Sequence, residues 1–281
     1  MILQRDWSDS FIGIYHSPDD LVAGSLSDRA LALLRWRILN GVFVGGDKIR
    51  EQVVARELGV SRATIREATR RLYGAGLVEI DAQRGVFVRT YTLKQIIDII
   101  EVRKSLSDLI ATLFLERATK ADRDRIKALY ALLLESKARS YCNGDYITGL
   151  QFNEAVVCAT NSDRVYTLER EAWQQMRIFK LFLRHQIGGP VDFEAFNRLM
   201  FVQGTKHRLA LYNAISSGSR SQIAGAMRDA ADASLNRARV LFDDFLELRG
   251  RNWPSLVDRA RPESSKIDGF QANTNIEREN K

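Results

Sequence analysis

Glu51-Gln52-Val53-Val54-Ala55-Arg56-Glu57-Leu58-Gly59-Val60-Ser61-Arg62-Ala63-Thr64-Ile65-Arg66-Glu67-Ala68-Thr69-Arg70-Arg71-Leu72 is the stretch on which the fold turns. Val53, Val54 and Leu58 make the apolar face of a short helix, and Gly59-Val60-Ser61 breaks it. A second helix runs from Arg62 to about Tyr73, with Ile65, Ala68 and Leu72 facing a core at i, i+3 and i+7. Arg62 and Arg66 stand four apart and so project from the other face. Gly74 and Gly76 end this helix.

Upstream, Leu26, Ala30, Leu33, Leu34 and Ile38 recur at helical spacing, with Ser25 or Ser27 as cap and Gly41 as stop. Gly45-Gly46-Asp47 then makes a turn. Downstream, Leu77-Val78-Glu79-Ile80 and Val86-Phe87-Val88 flank Asp81-Ala82-Gln83-Arg84-Gly85 and read as a hairpin. Helix, helix, turn, helix and hairpin in this order form a winged helix-turn-helix. In such a unit the second helix of the pair enters the major groove by its N-terminal residues. Arg62 and Arg66 are therefore the candidate base readers, since a guanidinium fork matches guanine O6 and N7 together. Thr64 adds a hydroxyl and a methyl beside them. Ser61 stands where an N-cap belongs and either holds the helix end or donates to a phosphate. Arg70 and Arg71 lie farther along, at phosphate distance, and Arg84 with Gly85 forms the candidate wing tip. Taken one by one these arginines read equally as a solvated face, with Glu67 as a partner; the whole arrangement is what singles them out.

Charge agrees with this reading. The chain of 281 residues carries a net +7. Residues 25–90 hold twelve Lys/Arg against seven Asp/Glu, a net +5 in under a quarter of the length. A basic segment of domain size suits a polyanion. No apolar run approaches the roughly 18 residues of a membrane span, and residues 1–20 lack the apolar core of a signal peptide, so a cytoplasmic location is expected. Cys142 and Cys158 lack metal-site spacing and read as free thiols, and three histidines are too few for a His-rich catalytic or zinc site.

After Thr90 strand signals stop. Long amphipathic stretches at about 94–118, 121–142, 145–160, 163–187, 192–217 and 219–248 predict six helices that bury their stripes against one another. The expected organisation is a flexible arm (1–24), a DNA-binding winged helix-turn-helix (25–90), an all-helical effector-binding and dimerisation domain (91–249) and a disordered tail (250–281). The fold class is mainly α, with a small β-wing.

The stretch Gly41–Val88 resembles the DNA-binding half of GntR-family regulators. The matching text is Ile38-Leu39-Asn40-Gly41, Gly46-Asp47, Glu51, Leu58-Gly59-Val60-Ser61-Arg62, Ile65-Arg66-Glu67-Ala68, Arg71-Leu72, Gly76-Leu77-Val78 and Gly85-Val86-Phe87-Val88. Ala63 departs mildly, standing where the family usually has Thr. The resemblance implies a homodimer on a short inverted repeat of double-stranded DNA, Arg62 and Arg66 on bases and the wing in the minor groove. The helical half is similar to the FadR-type effector (FCD) domain over about Ile96–Leu235. Glu101-Val102-Arg103, Phe152, Thr160-Asn161, Ala214-Ile215-Ser216-Ser217-Gly218 and Met227 carry that likeness, and six helices imply the VanR-like branch.

Many such relatives bind a divalent metal through one Asp and three His. Those positions fall here on Gly149, Asn153, Arg208 (with His207 adjacent) and Ala230, which supply no metal set. The expectation is therefore no metal. A small organic anion, a carboxylate by the resemblance, is held instead by Arg103 and Arg208 with Asn153 and His207 as polar neighbours. Arg103 otherwise forms an ion pair with Glu101 or Asp108, and Arg208 otherwise snorkels to the surface. Trp173, Met176, Phe179 and Leu183 recur at helical spacing and read as core. The function these readings imply is a sequence-specific DNA-binding regulator, a repressor by the family's commoner habit, relieved by an anion. The alternatives are a DNA-binding dimer with a decayed effector site and an enzyme, for which no nucleophile–base pair is visible.

Overall fold

The computed structural model describes residues 25–138, 143–188 and 193–249. The expected arm (1–24), tail (250–281) and Cys142 lie outside the described residues. The order is α1 (Leu26–Leu39), β1 (Lys48–Ile49), α2 (Glu51–Glu57), α3 (Arg62–Gly74), β2 (Val78–Asp81), β3 (Gly85–Val88), then α4 (Leu93–Arg117), α5 (Lys120–Ala138), α6 (Asn143–Cys158), α7 (Asp163–Gly188), α8 (Phe193–Ser217) and α9 (Arg220–Arg249). The chain is thus mainly helical, with a small β-wing and a bundle of six helices after it.

Local chemistry sets the helix starts. Ser25 caps α1 in a capping box with Asp28, and Thr92 caps α4 in one with Gln95; each satisfies amide groups that the first helical turn leaves orphaned. The α1–α3 unit closes over Leu34, Ile38, Leu39, Ile65 and Leu72, all under 2% exposed. Truncating one of them to Ala costs about 2–5 kcal/mol.

The hairpin is one strand richer than the sequence reading. β1 pairs antiparallel with β3 (Lys48 opposite Phe87), which makes a three-stranded sheet of order β1-β3-β2. A two-residue strand has no periodicity of its own, so only its partner reveals it. β2 and β3 end against Gly85, which lies opposite Asp81 with φ +98°, a left-handed conformation suited to glycine.

In the bundle α4 packs on α9 and α7, α5 on α6, and α8 on both α6 and α9. Phe114, Phe152, Phe179 and Phe245 are fully buried at its centre. Helix α7 also touches the N-terminal unit through α1. A β-carbon placed on Gly41 would lie 3.4 Å from Leu181, and one on Gly45 would lie 3.1 Å from Phe182. One helix is therefore shared between the bundle core and the winged helix-turn-helix.

Candidate nucleic-acid interface and anion cavity

The N-terminus of α3 is built by Ser61. Its Oγ accepts from the Thr64 amide at 3.1 Å and lies 2.8 Å from Thr64 Oγ1. Ser61 thus acts as the N-cap, and the pair fixes the turn that aims the helix. Arg62, Arg66 and Arg70 are all exposed on this helix, opposite buried Ile65, Ala68 and Leu72. Arg66 Nε stands 3.6 Å from a Glu51 carboxylate oxygen, and Glu51 also accepts from Thr69 at 3.1 Å. An exposed pair at this separation is weak, so Arg66 gives it up at small cost.

Arg71 is placed differently. Its guanidinium donates to Asp28 at 2.6 Å, and that bond, with those from Ser25, holds the Asp28 carboxyl down at about 2. Arg71 thus braces α3 against α1, and a phosphate must compete with Asp28 for it. At the wing, the Arg84 guanidinium lies 5.1 Å and Lys48 Nζ 5.8 Å from the Phe87 ring centre. Lys48 also lies 3.5 Å from the place of a Gly85 β-carbon. The sequence reading missed Lys48, since only the β1–β3 pairing carries it to the wing.

The bundle holds a cavity of about 130 Å³, partly open to solvent. That is roughly four water volumes and below the usual 300–1,000 Å³ of drug-sized pockets. Its wall brings together Arg103, Asn153, His207, Arg208 and Ala230, five of the six positions singled out in the bundle. Gly149 lies directly behind. A β-carbon on Gly149 would come within 2.8 Å of the Arg208 guanidinium, and one on Gly204 within 2.7 Å. The two glycines form a slot for this side chain, which is 7% exposed and does not snorkel outward. The residue set does not fit a divalent metal: the guanidinium fills the space where a ligand carboxylate would project. Among the described residues no group of three or more His, Cys, Asp or Glu is placed to hold a metal ion.

Three further cations line the wall and were not foreseen: Arg177, Lys180 and Arg237. A signal for them existed. Trp173, Met176, Arg177 and Lys180 sit at i, i+3, i+4 and i+7 of α7, the spacing of a buried stripe. Gly204, His207, Arg208 and Leu211 repeat that spacing on α8, and Ala230, Ser234 and Arg237 fall at i, i+4 and i+7 of α9. Of the four residues read as core, Met176, Phe179 and Leu183 are buried in it and Trp173 packs against it, and Trp173 and Met176 also line the cavity.

The electrostatics are one-sided. Five Lys/Arg and no Asp/Glu line the cavity among the described residues. Arg103 is paired through Nη2 and Nε with Glu169 at 2.8 and 3.0 Å, not with Glu101 or Asp108; Asp108 is taken by Arg228. Lys180 is 6% exposed and its Nζ donates to Ser234 Oγ at 2.8 Å. Burial, then the charges of Arg237, Arg103 and Arg177, push the Lys180 ammonium well below the usual lysine range. Burial also lowers His207, helped by Lys206 and Arg237. Arg237 Nε is buried without a hydrogen-bond partner. Arg177, 4% exposed, stacks on Trp173 with its guanidinium 5.6 Å from the ring centre, and its Nε donates to the Leu39 carbonyl at the end of α1. The cavity wall and the N-terminal unit therefore share one side chain.

With this geometry in place, comparison with known proteins gives the class. Residues 26–88 match the family described as bacterial regulatory proteins, gntR family. The match spans α1 to β3, the whole N-terminal unit, which is therefore similar to that family. Among individual relatives, the Bacillus subtilis HTH-type transcriptional regulator YdhC is 35% identical over 89 residues, covering 32% of this chain and 40% of its own. The gluconate operon transcriptional repressor of B. subtilis is 26% identical over 171 residues, covering 59% and 68%. The chain spans about half the length, or less, of the curated relatives it matches first. Among solved structures, E. coli McbR/YncC superposes with a TM-score of 0.60 at 16% identity, covering 79% of this chain and all of that one. A GntR protein of Rhodococcus sp. RHA1 gives 0.58 at 23%, covering 77% and 99%. These two share the fold. The relatives named here by function are regulators of transcription, and none is named as an enzyme. No described helix is long and apolar enough to cross a membrane.

Proposed function

We propose that the protein is a sequence-specific transcription regulator whose operator affinity is set by a small organic anion bound in the α4–α9 cavity. The observation that carries this reading is the cavity wall, with five Lys/Arg and, among the described residues, no carboxylate, in a bundle joined to a unit that matches the gntR family. Cations gathered on one cavity wall attract an anion. Arg103 and Arg208, with Asn153 and His207, are assigned to the ligand, and Arg177, Lys180 and Arg237 join them. The six helices support a FadR-type (FCD) effector domain of the VanR-like branch. Repression is supported by the relative named as a gluconate operon repressor. Coupling runs through Arg177, which reaches from the wall to the Leu39 carbonyl. A ligand competing for that guanidinium alters the seat of α1 and, through α1–α3 packing, the reading helix.

On DNA the reading assigns Arg62, Arg66 and Thr64 to bases, Ser61, Arg70 and Arg71 to phosphates or helix capping, and Arg84 with Gly85 to the minor groove. A homodimer on an inverted repeat is the matching assembly, because two-fold sites are read by two-fold proteins. Val102 and Leu109, exposed and two turns apart on α4, offer an apolar stripe for it. The reading is tested by selecting DNA from a random pool with the full-length protein, then titrating the selected duplex with and without small anions. A palindromic consensus whose affinity shifts with an anion supports it. Binding that no anion changes favours the decayed-sensor alternative, and absence of any consensus refutes it.

A further inference from the structure

We infer that the cavity captures its ligand covalently, as an imine between Lys180 Nζ and the carbonyl carbon of a small 2-oxo acid or aldehyde. An effect of that capture on DNA rests on the sensing function proposed above; the capture itself does not. Three lysines on the outside of the bundle are matched to carboxylates: Lys94 to Asp98 at 3.0 Å, Lys104 to Asp232 at 2.7 Å and Lys120 to Asp124 at 2.9 Å. Lys180 is placed differently. It is 6% exposed, it stands on α7 in the wall of the cavity, and its Nζ donates to a neutral hydroxyl, Ser234 Oγ of α9, at 2.8 Å.

Such a placement favours the free amine. Taking an ammonium out of water with a hydroxyl in place of a carboxylate disfavours its charged form, and neighbouring cations disfavour it further. Both causes act here. Burial, then the charges of Arg237, Arg103 and Arg177, push Lys180 well below the usual lysine range. A free amine keeps the lone pair that an ammonium lacks, and a desolvated lysine beside another cation is the kind that adds to carbonyls. The cavity, partly open to solvent, gives a small molecule a way to that lone pair. Trp173, Met176 and Leu211 offer apolar surface to its carbon chain.

The reaction needs neither an oxidant nor a reductant. The Nζ lone pair forms the new N–C bond, and the carbonyl π pair moves onto oxygen. One proton passes from nitrogen to that oxygen, which gives a carbinolamine. The hydroxyl then leaves as water with the second Nζ proton, and the C=N bond forms. Ser234 is placed to carry these protons, because its Oγ accepts from Nζ and its own O–H can pass to the ligand oxygen.

The test is reductive trapping on the full-length protein at neutral pH. Pyruvate and propanal are the probes, cyanoborohydride converts any imine to a stable secondary amine, and peptide mass spectrometry locates it. Lactate, close to pyruvate in size and equal in charge, lacks the carbonyl and serves as control. The expected result is an adduct on Lys180 in about tenfold or greater excess over Lys94, Lys104 and Lys120. Which probe labels faster separates a 2-oxo acid from an aldehyde. Lys180→Met, shown to be folded by its melting, should lose the adduct. Ser234→Ala should slow the labelling of Lys180 and Ser234→Thr should restore it; equal rates in all three proteins would remove the proton-carrying role. No adduct with either probe at millimolar concentration, or labelling spread evenly over the surface lysines, overturns the inference. Lactate bound as tightly as pyruvate, with no adduct from either probe, overturns it too and leaves anion sensing standing. An adduct on Lys180 that leaves DNA affinity unchanged supports the capture and refutes the sensing function instead.

Discussion

Arg177 is the side chain on which communication between the two halves should depend, and its replacement by Met isolates that role. Met keeps most of the length and apolar bulk of the side chain and removes the charge and every donor. In the folded protein Arg177 is 4% exposed and donates to the Leu39 carbonyl, the last residue of α1. Carbonyls at a helix end lack intrahelical partners, and a cation there also meets the negative end of the helix dipole. A hydrogen bond from a charged group contributes about 1.5–3 kcal/mol. Against this, the variant removes one of five cations from the cavity wall. Global stability should therefore change little, while the end of α1 loosens locally. The reporters are the amides of Asn40, Gly41, Val42 and Phe43, which donate to Trp36, Ile38 and Arg37 carbonyls in that turn. Loss of about 1.5–3 kcal/mol corresponds to roughly 10- to 150-fold more frequent opening. Hydrogen–deuterium exchange of full-length wild type and Arg177→Met should show that acceleration over residues 36–47, with α5 unchanged as control. The effect of a bound anion on DNA affinity should shrink with it. Wild-type exchange at residues 36–47 together with a full ligand response would refute the relay.

The other predictions concern the reading helix, the braces and the cavity. Arg66→Ala should weaken binding to the selected operator by about 1–3 kcal/mol and relax discrimination at one base pair; equal loss on random DNA in a competition assay would deny base reading. Removing Arg70 should reduce the slope of log affinity against log salt by about one, whereas Arg71→Ala should change it less, because Asp28 already engages that guanidinium. Gly149→Asp should place a carboxylate against Arg208, which lowers affinity for a small organic anion in calorimetry; unchanged affinity would place Arg208 outside the ligand's reach. Lys180 is lowered in the folded state, so between its folded and its ordinary value the unfolded chain binds more protons and stability rises with pH. Urea unfolding of ligand-free wild type against Lys180→Met should show that rise only in wild type, with the variant the more stable of the two at neutral pH.

How much of this was legible in the chain depends on the range over which each signal acts. The winged helix-turn-helix was written locally. Ser61 caps the helix that begins at Arg62, Arg62 and Arg66 share a face because four residues make about one turn, and Gly85 permits the tight end of the hairpin. The six later helices were equally readable, since a stripe at helical spacing must be buried somewhere. Residues 25–90 therefore announced a winged helix-turn-helix, and the residues after them a helical bundle.

What periodicity cannot say is which partner a stripe meets. Arg103 was weighed against Glu101 and Asp108, its neighbours in sequence, and its carboxylate is Glu169, 66 residues away on α7. Lys48 reaches the wing only because β1 pairs with β3. Arg177, Lys180 and Arg237 stood at stripe positions, where a cation normally reads as a solvated exception. It took the packing of α4, α7, α8 and α9 around one small space to turn those exceptions into a wall of like charge. Sequence alone determined the helices, the hairpin and the exposed arginine face of α3, because each depends on contacts within a few turns of one element. The tertiary structure alone decided that five cations converge, that Gly149 and Gly204 make room for Arg208, and that Arg177 links the cavity to α1, because these depend on distances between elements that no local spacing encodes.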